Sequence, residues 1–292
     1  MTQVIERFEE IAGRYHAAFV DLWGCMHDGV RAHVPAVRAM QAFRARGGRV
    51  VLVTNAPRPR LSVEAQIARL GVPEDAWDAI ATSGDAARAA MFRGAVGRRV
   101  WFMGGEVDLA FFEPPRIVEA PLAVERVPLV EAEGIACCGP FDPHADPGVN
   151  RPAFEDAIAR GLKLLCANPD IVVDRGHTRE WCAGALAKLY EEMGGEALYF
   201  GKPHRPIYDL ARARLAAVAP LPPDGRIVAV GDGPLTDVLG AANAGLDCLF
   251  VSGGLAAVET GTAPGGQPDP ARLEAYLAAE GMAPKWSIGF LR

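Results

Sequence analysis

Asp21, Thr54, Asn55, Lys202, Asp232 and Asp237 are the residues of this sequence whose types and placement suit chemistry. Each stands just beyond, or shortly after, an apolar run: Ala17 to Val20, Arg49 to Val53, Ala197 to Phe200 and Arg226 to Val230. Such runs read as buried strands, and in an open α/β sheet the residues past the carboxyl ends of the strands share one rim, where ligands bind. Acids, a hydroxyl, an amide and a lysine would then converge from four distant stretches. A hard divalent cation suits paired carboxylates, and Mg²⁺ binds through one or two acids together with substrate phosphate. Gly24 allows the chain to turn sharply after Asp21.

Taken together, Asp21 at a strand end, Thr54-Asn55, Gly201-Lys202-Pro203 and the run Gly231-Asp232-Gly233-Pro234-Leu235-Thr236-Asp237 resemble the four motifs of the haloacid dehalogenase superfamily. The long insert between the second and third motifs, containing Asn168-Pro169-Asp170, resembles capped subclass IIA, which includes nucleotide and p-nitrophenyl phosphatases. The resemblance covers nearly the whole chain. It implies that Asp21 is a nucleophile forming an aspartyl-phosphate that water hydrolyses. It also implies that Mg²⁺ is held by Asp21, the backbone carbonyl of Trp23 and Asp232, with Asp237 acting through water or orienting its neighbours. Thr54 and Asn55 would donate to the phosphoryl oxygens, and Lys202 would neutralise the charge developing on them. Read alone, Gly-Asp-Gly-Pro followed by Asp237 supplies only a turn and a helix cap, Thr54-Asn55 a polar strand end, and Lys202 an exposed lysine.

The departure from the family is at Trp23. Phosphatases of the superfamily carry a second aspartate two residues after the nucleophile, which protonates the leaving oxygen and activates water. An indole does neither at neutral pH, although a backbone carbonyl at that position still serves a metal. His27 and Asp28, in a flap expected over Met26 to His33, are candidates to replace the acid; the plain alternative is an exposed structural His-Asp-Gly turn. Arg58 and Arg60 suit a second anionic group of the substrate, or are solvated loop arginines. Asn168, Asp170, Arg175 and His177 are placed to select the leaving group, or Asn-Pro-Asp is simply a turn. His27, Arg58, Asn168 and Asp170 are the residues expected to meet the substrate.

With 292 residues, half of them apolar, the chain has ample material for one large or two smaller cores. A net charge of −6 gives no electrostatic footprint for nucleic acid, and Arg88, Arg93, Arg98 and Arg99 read as a solvated helix face running into a turn. Six cysteines without a C-x-x-C pair read as reduced core residues, with Cys25 the one placed near the site. The segment Met1 to His16 is amphipathic and acidic, unlike a signal peptide, and no run is long and apolar enough to span a bilayer. These features imply a cytoplasmic protein whose partner is a small phosphorylated metabolite, with no nucleic acid and no membrane; a homodimer is compatible with them.

The positioning elements alternate. Pro35 opens a helix reaching Arg46, Ser62 caps one over Val63 to Leu70, and Asp78 to Ser83 gives a strand and turn. Val100 to Met103, Gly134 to Cys138 and Lys163 to Ala167 read as further strands, and Arg179 to Met193 as a helix. This is the pattern of an α/β protein with a doubly wound parallel sheet. Residues 1–83 and 181–292 form the expected core, and 84–180 an inserted smaller α/β cap domain. The expected activity is Mg²⁺-dependent hydrolysis of a sugar phosphate, nucleotide or similar phosphomonoester. The alternative, prompted by Trp23, is a weakly active or non-hydrolytic protein that binds a phosphorylated metabolite as a sensor or interaction module.

Overall fold

The computed structural model describes residues 2–175 and 178–292. The chain begins with β1 (Gln3–Val4), α1 (Glu9–Ala12), β2 (Ala17–Val20), α2 (Val34–Ala45), β3 (Arg49–Thr54), α3 (Arg60–Leu70) and β4 (Ala79–Thr82). A second series follows: α4 (Ser83–Phe92), β5 (Arg99–Met103), β6 (Glu125–Arg126), β7 (Gly134–Cys137), α5 (Arg151–Ala159), β8 (Lys163–Cys166), β9 (Val172–Arg175), β10 (Thr178–Trp181), α6 (Ala183–Glu192) and β11 (Glu196–Tyr199). The chain ends with α7 (Arg205–Ala216), β12 (Ile227–Gly231), α8 (Leu239–Asn243), β13 (Asp247–Val251), α9 (Pro270–Ala279) and β14 (Trp286–Ile288).

Two compact units result. The first comprises Met1–Thr54, Glu64–Ala81 and Lys202–Arg292, and the second Asn55–Val63 and Thr82–Gly201. A seven-stranded sheet in the order β1-β14-β13-β12-β2-β3-β4 organises the first, and a five-stranded sheet in the order β11-β8-β7-β5-β6 the second. The pairings of β2 with β3 and β12, and of β5 and β8 with β7, are parallel. Strands buried on both faces need continuous apolar sequence, and β2 and β12 show it, with every residue buried. Helix α2 turns Ala36, Val37, Met40 and Phe43 inward, one stripe of a helical period. In the second unit Phe154 meets Tyr190 edge to face with centroids 5.1 Å apart, and the Tyr190 hydroxyl donates to Leu162 O at 2.6 Å.

Several expectations are corrected. Ala197 to Phe200 contributes β11, which pairs with β8 in the five-stranded sheet, so Lys202 follows a strand of the second unit and not one of the core sheet. The second unit accordingly runs to Gly201, where a return to the core at 181 was expected. Thr178–Trp181 is an antiparallel partner of β9, which delays the helix expected from Arg179 until Ala183; Thr and Trp favour a strand where a neighbour is present to pair with. Ser62 lies within α3, which starts at Arg60 directly after Pro59. The amphipathic amino-terminal segment is divided: Gln3–Val4 joins the edge of the sheet beside β14, leaving a helix of four residues, while Ile5, Phe8 and Ile11 stay buried. Arg88 is buried rather than solvated. It pairs with Asp85 at 2.9 Å, donates to Phe111 O at 3.2 Å and bonds Glu113 O.

Asp78, just before β4, ties the edge of the first unit together. Its carboxylate accepts both Arg44 Nε (3.0 Å) and another Arg44 nitrogen (2.9 Å), Arg49 (3.1 Å) and Val50 N–H (2.8 Å). Burial alone would raise its pKa, yet the arginine and backbone donors outweigh this and hold it below the ordinary 3.8. Asp78→Ala should therefore cost about 2 kcal/mol at neutral pH, between the scales of exposed and buried charge pairs, because Arg44 and Arg49 can turn to solvent. Because the folded-state pKa is depressed, that contribution is present above the ordinary carboxylate range and is lost as pH falls through the lower folded value. Urea unfolding of both proteins at pH 7 and at pH 3 checks this: the gap should narrow at pH 3.

Candidate active site

Strand register assembles the first part of the site. Val20 lies opposite Val230 on one side and Leu52 on the other, and Asp21 N–H donates to Val230 O at 2.8 Å. Thr54 is the last residue of β3, and Asp21 and Asp232 directly follow the ends of β2 and β12, so all three stand at the carboxyl rim of the parallel sheet. All three are buried, as are Lys202 and Asp237. The Lys202 ammonium lies 2.6 Å from Asp21 Oδ1 and 2.8 Å from Asp237 Oδ1, which joins acids from opposite ends of the sequence through one cation. Burial opposes its charge, but Asp21 and Asp237 outweigh that and keep it protonated well above the ordinary lysine range.

Asp237 is held by a wide turn. Its N–H and that of Val238 both reach back to Gly233 O, at 2.7 and 3.1 Å, and its Oδ2 accepts Gly233 N–H at 3.2 Å and the Thr236 hydroxyl at 3.3 Å. Gly231 is needed here, because a Cβ on it would lie 2.0 Å from Asp237 Cγ. Burial pushes the Asp237 carboxyl up to about 6 against the opposing pull of Lys202. With one oxygen on Lys202 and the other on its own turn, Asp237 orients the lysine.

Asp232 has the opposite character. Burial, and then the negative charges of Asp21 and Asp237, push its carboxyl far up, and the hydrogen bond from Leu255 N–H at 3.1 Å relieves this only in part. Its carboxylate is gripped by backbone: a Cβ on Gly24, whose φ is +71°, or on Gly254 would lie 2.0 Å from Asp232 Oδ2. Single ligand atoms of Asp21, Asp232 and Cys25 lie within 4.8 Å of one another. Two buried, mutually repelling carboxylates in a backbone cradle fit a hard divalent cation, which would replace their repulsion with attraction. Asp21 and Asp232 would hold it. Burial and the surrounding carboxylates push the Cys25 thiol up, so sulfur stays protonated beside these oxygen ligands.

The Trp23 indole is half-buried, packs edge to face on His27 with centroids 5.1 Å apart, and lies against Gly29, where a Cβ would meet it at 2.4 Å. His27 is buried, which corrects the expectation of an exposed turn. Its Nδ1 accepts Gly29 N–H at 3.1 Å, and burial, with His33 nearby, pushes its pKa down to about 4. With Nδ1 accepting, the neutral imidazole keeps only its Nε2–H, which is far too weak an acid to protonate a leaving oxygen at pH 7. Asp28 is exposed and its Oδ1 accepts Arg31 and Val30 N–H at 2.8 and 2.9 Å, which keeps it ionised below the ordinary range. The segment thus serves its own loop and supplies no acid at neutral pH.

Further expected residues lie in the second unit. Asn55 is buried and donates through Nδ2 to Asp170 Oδ1 at 2.8 Å. Asn168 Oδ1 accepts Asp170 N–H at 3.0 Å, so the amide closes the Asn-Pro-Asp turn while Asp170 engages Asn55. Arg58 is half-buried, with its backbone N packed on Gly84, where a Cβ would meet it at 2.8 Å. Arg60 opens α3, its N–H 3.4 Å from Asp85 Oδ2. His177, and the side chain of Arg175, lie outside the described residues. Ser83, read from sequence only as part of a turn, has a fully buried hydroxyl without a hydrogen-bond partner among the described residues. It adjoins Asn55: a Cβ on Gly201 would meet Asn55 Oδ1 at 2.5 Å, Pro169 Cδ at 2.6 Å and Ser83 Oγ at 2.7 Å. A serine between β4 and α4 gives no signal in sequence beyond ordinary helix-start chemistry.

Residues 18–113 match the model of a haloacid dehalogenase-like hydrolase family, and residues 199–274 a further family of that type. No curated protein sequence matches. A solved structure of a haloacid dehalogenase-like hydrolase from Brucella suis 1330 is 41% identical, with 99% of this chain and 100% of that one covered and a TM-score of 0.83. A possible sugar phosphatase from Cytophaga hutchinsonii shares the fold at 18% identity, covering 99% and 98% of the two chains with a TM-score of 0.76. A glycerol phosphate phosphatase from Mycobacterium tuberculosis, solved in complex with calcium, does so at 23% identity over 84% and 68%, with a TM-score of 0.63. Motif residues, sheet order and a relative matched from end to end agree: this chain belongs to the haloacid dehalogenase-like hydrolases.

Proposed function

We propose that the chain is a phosphatase that hydrolyses small phosphomonoesters, sugar phosphates or nucleotides among them, with Mg²⁺ as its divalent cation and Asp21 as nucleophile. The observation that carries this reading is the Lys202 ammonium fixed between Asp21 and Asp237, beside a further buried acid, Asp232, that makes no ion pair among the described residues. Structural neighbours described as a possible sugar phosphatase and a glycerol phosphate phosphatase support the same class. A bound cation would supply charge neutralisation between the acids and the incoming phosphate. Asp21, already held by Lys202 and by its place at the end of β2, would attack phosphorus and carry the phosphoryl group until water removes it. Lys202 and Thr54 would stabilise charge on the transferring oxygens.

Trp23 shapes the consequences. With an indole where the acid is expected, and with neither His27 nor Asp28 able to act as an acid at neutral pH, departure of the leaving oxygen would depend on its own acidity. General acid help is worth about 10²- to 10⁴-fold, so esters of acidic alcohols should turn over and simple alkyl esters should lag. A second reading rests on the same residue: a binding module that recognises a phosphorylated metabolite without turnover, stabilised by it in a melt.

Phosphate release from p-nitrophenyl phosphate should require Mg²⁺, disappear on chelation, and fall by at least about 10³-fold in Asp21→Asn. Saturable phosphate-ester binding without turnover at any Mg²⁺ concentration would favour the binding module. In Trp23→Asp, the rate on an alkyl phosphate should rise by about 10²-fold while that on p-nitrophenyl phosphate changes little; equal effects on both esters would remove the role assigned to Trp23. Gly24→Ala should displace the Asp232 carboxylate and weaken Mg²⁺ binding by at least about tenfold, read by calorimetry with circular dichroism confirming the fold.

A further inference from the structure

We propose that a groove between the amino-terminal segment and α2 is a second ligand site, which takes a small molecule with an anionic head and an apolar body. The groove is a cavity of about 370 Å³ lined mainly by carbon, a volume within the range of small-molecule sites. Its wall is the outward face of α2, where Pro35, Arg38, Ala39 and Ala42 follow helical spacing, continued by Arg46 just past the helix end, and its floor includes Phe8 and Phe43, packed edge to face at 5.3 Å. Alanines at 39 and 42 leave room that larger residues would fill. All of it lies within the first unit.

Charge identifies the occupant. Arg7, Arg38, Arg46 and Arg292 rim the cavity, against one lining acid, Glu9. Arg46 is paired with Glu9, and Arg292 is paired with Glu6 at 3.1 Å. Arg7 and Arg38 are exposed and make no ion pair or side-chain hydrogen bond among the described residues. Arg7 reaches Glu9 only through space, and two guanidiniums without ion pairs among the described residues, over an apolar pocket in a chain whose net charge is −6, are an arrangement complementary to an oxyanion with a hydrocarbon body. Solvation alone would be served as well by lysine or glutamate on an ordinary helix face, and would leave no cavity behind it.

Decanoate is the probe, with decanol as its uncharged counterpart, both titrated calorimetrically into the full chain below their micelle-forming range. The expected result is saturable binding of decanoate at one site, at least tenfold weaker binding of decanol, at least tenfold loss in Arg7→Glu/Arg38→Glu, and loss of binding in Ala42→Trp. The double charge reversal is on exposed side chains and keeps the test decisive if the tryptophan variant does not fold, which a thermal melt reports. Absence of saturable binding overturns the proposal, as does decanol binding equal to decanoate or binding undiminished in both variants. Ala42→Trp changing the chain from dimer to monomer on light scattering also overturns it, because the groove would then be occupied by a second copy.

Discussion

Everything at the rim depends on how Lys202 is shared between Asp21 and Asp237. A lysine and three carboxylates taken out of water would each cost several kcal/mol if unpaired, and hydrophobic packing does not compensate for such charges. At 2.6 and 2.8 Å the ammonium meets both acids directly, and the oxygen of Asp237 not used there is satisfied by Gly233 and Thr236. The remaining imbalance is concentrated on Asp232. One lysine cannot offset three acids, so the fold leaves a defined deficit of positive charge beside the proposed nucleophile. A divalent cation held by Asp21 and Asp232 would fill that deficit, and an approaching phosphate would then meet charge that is already arranged, which is how electrostatic preorganisation lowers a barrier without reorganisation at the moment of reaction.

The strands that end in functional residues were readable because buried parallel strands are unbroken apolar runs. Ala17 to Val20 and Arg226 to Val230 are such runs, and both lie at the centre of the seven-stranded sheet. Sheet membership was not readable. An apolar run does not state which neighbour it pairs with, and Ala197 to Phe200, equally apolar, belongs to the other sheet. The Gly-Lys-Pro motif marks Lys202 whichever sheet the preceding strand joins, and that strand pairs with β8. Thr178–Trp181 shows the same limit in another form, since only pairing with β9 separates it from the helix that follows.

Within the site, sequence identified residue types and missed environments. His27 looked suited to proton transfer because an unperturbed imidazole titrates near neutrality; burial removes that property, and nothing in His-Asp-Gly announces burial. Arg88 looked like one charge in a basic patch, yet Asp85 and two carbonyls take it into the interior. Ser83 carried no signal at all, because an unsatisfied hydroxyl is a property of surroundings. Asn168 fared better: the turn chemistry of Asn-Pro-Asp is local, and the structure shows it.

The shared register of β3, β2 and β12 has a consequence for how such a chain diversifies. Asp21, Thr54 and Asp232 are aligned by counting residues along three neighbouring strands, with no loop taking up slack between the last paired residue and the side chain that matters. A one-residue insertion inside any of the three would move its functional group one step along the pleat, out of line with the other two. Length variation among homologues should therefore gather in segments such as the one between Gly254 and Asp269, while the spacing from strand start to acid stays invariant.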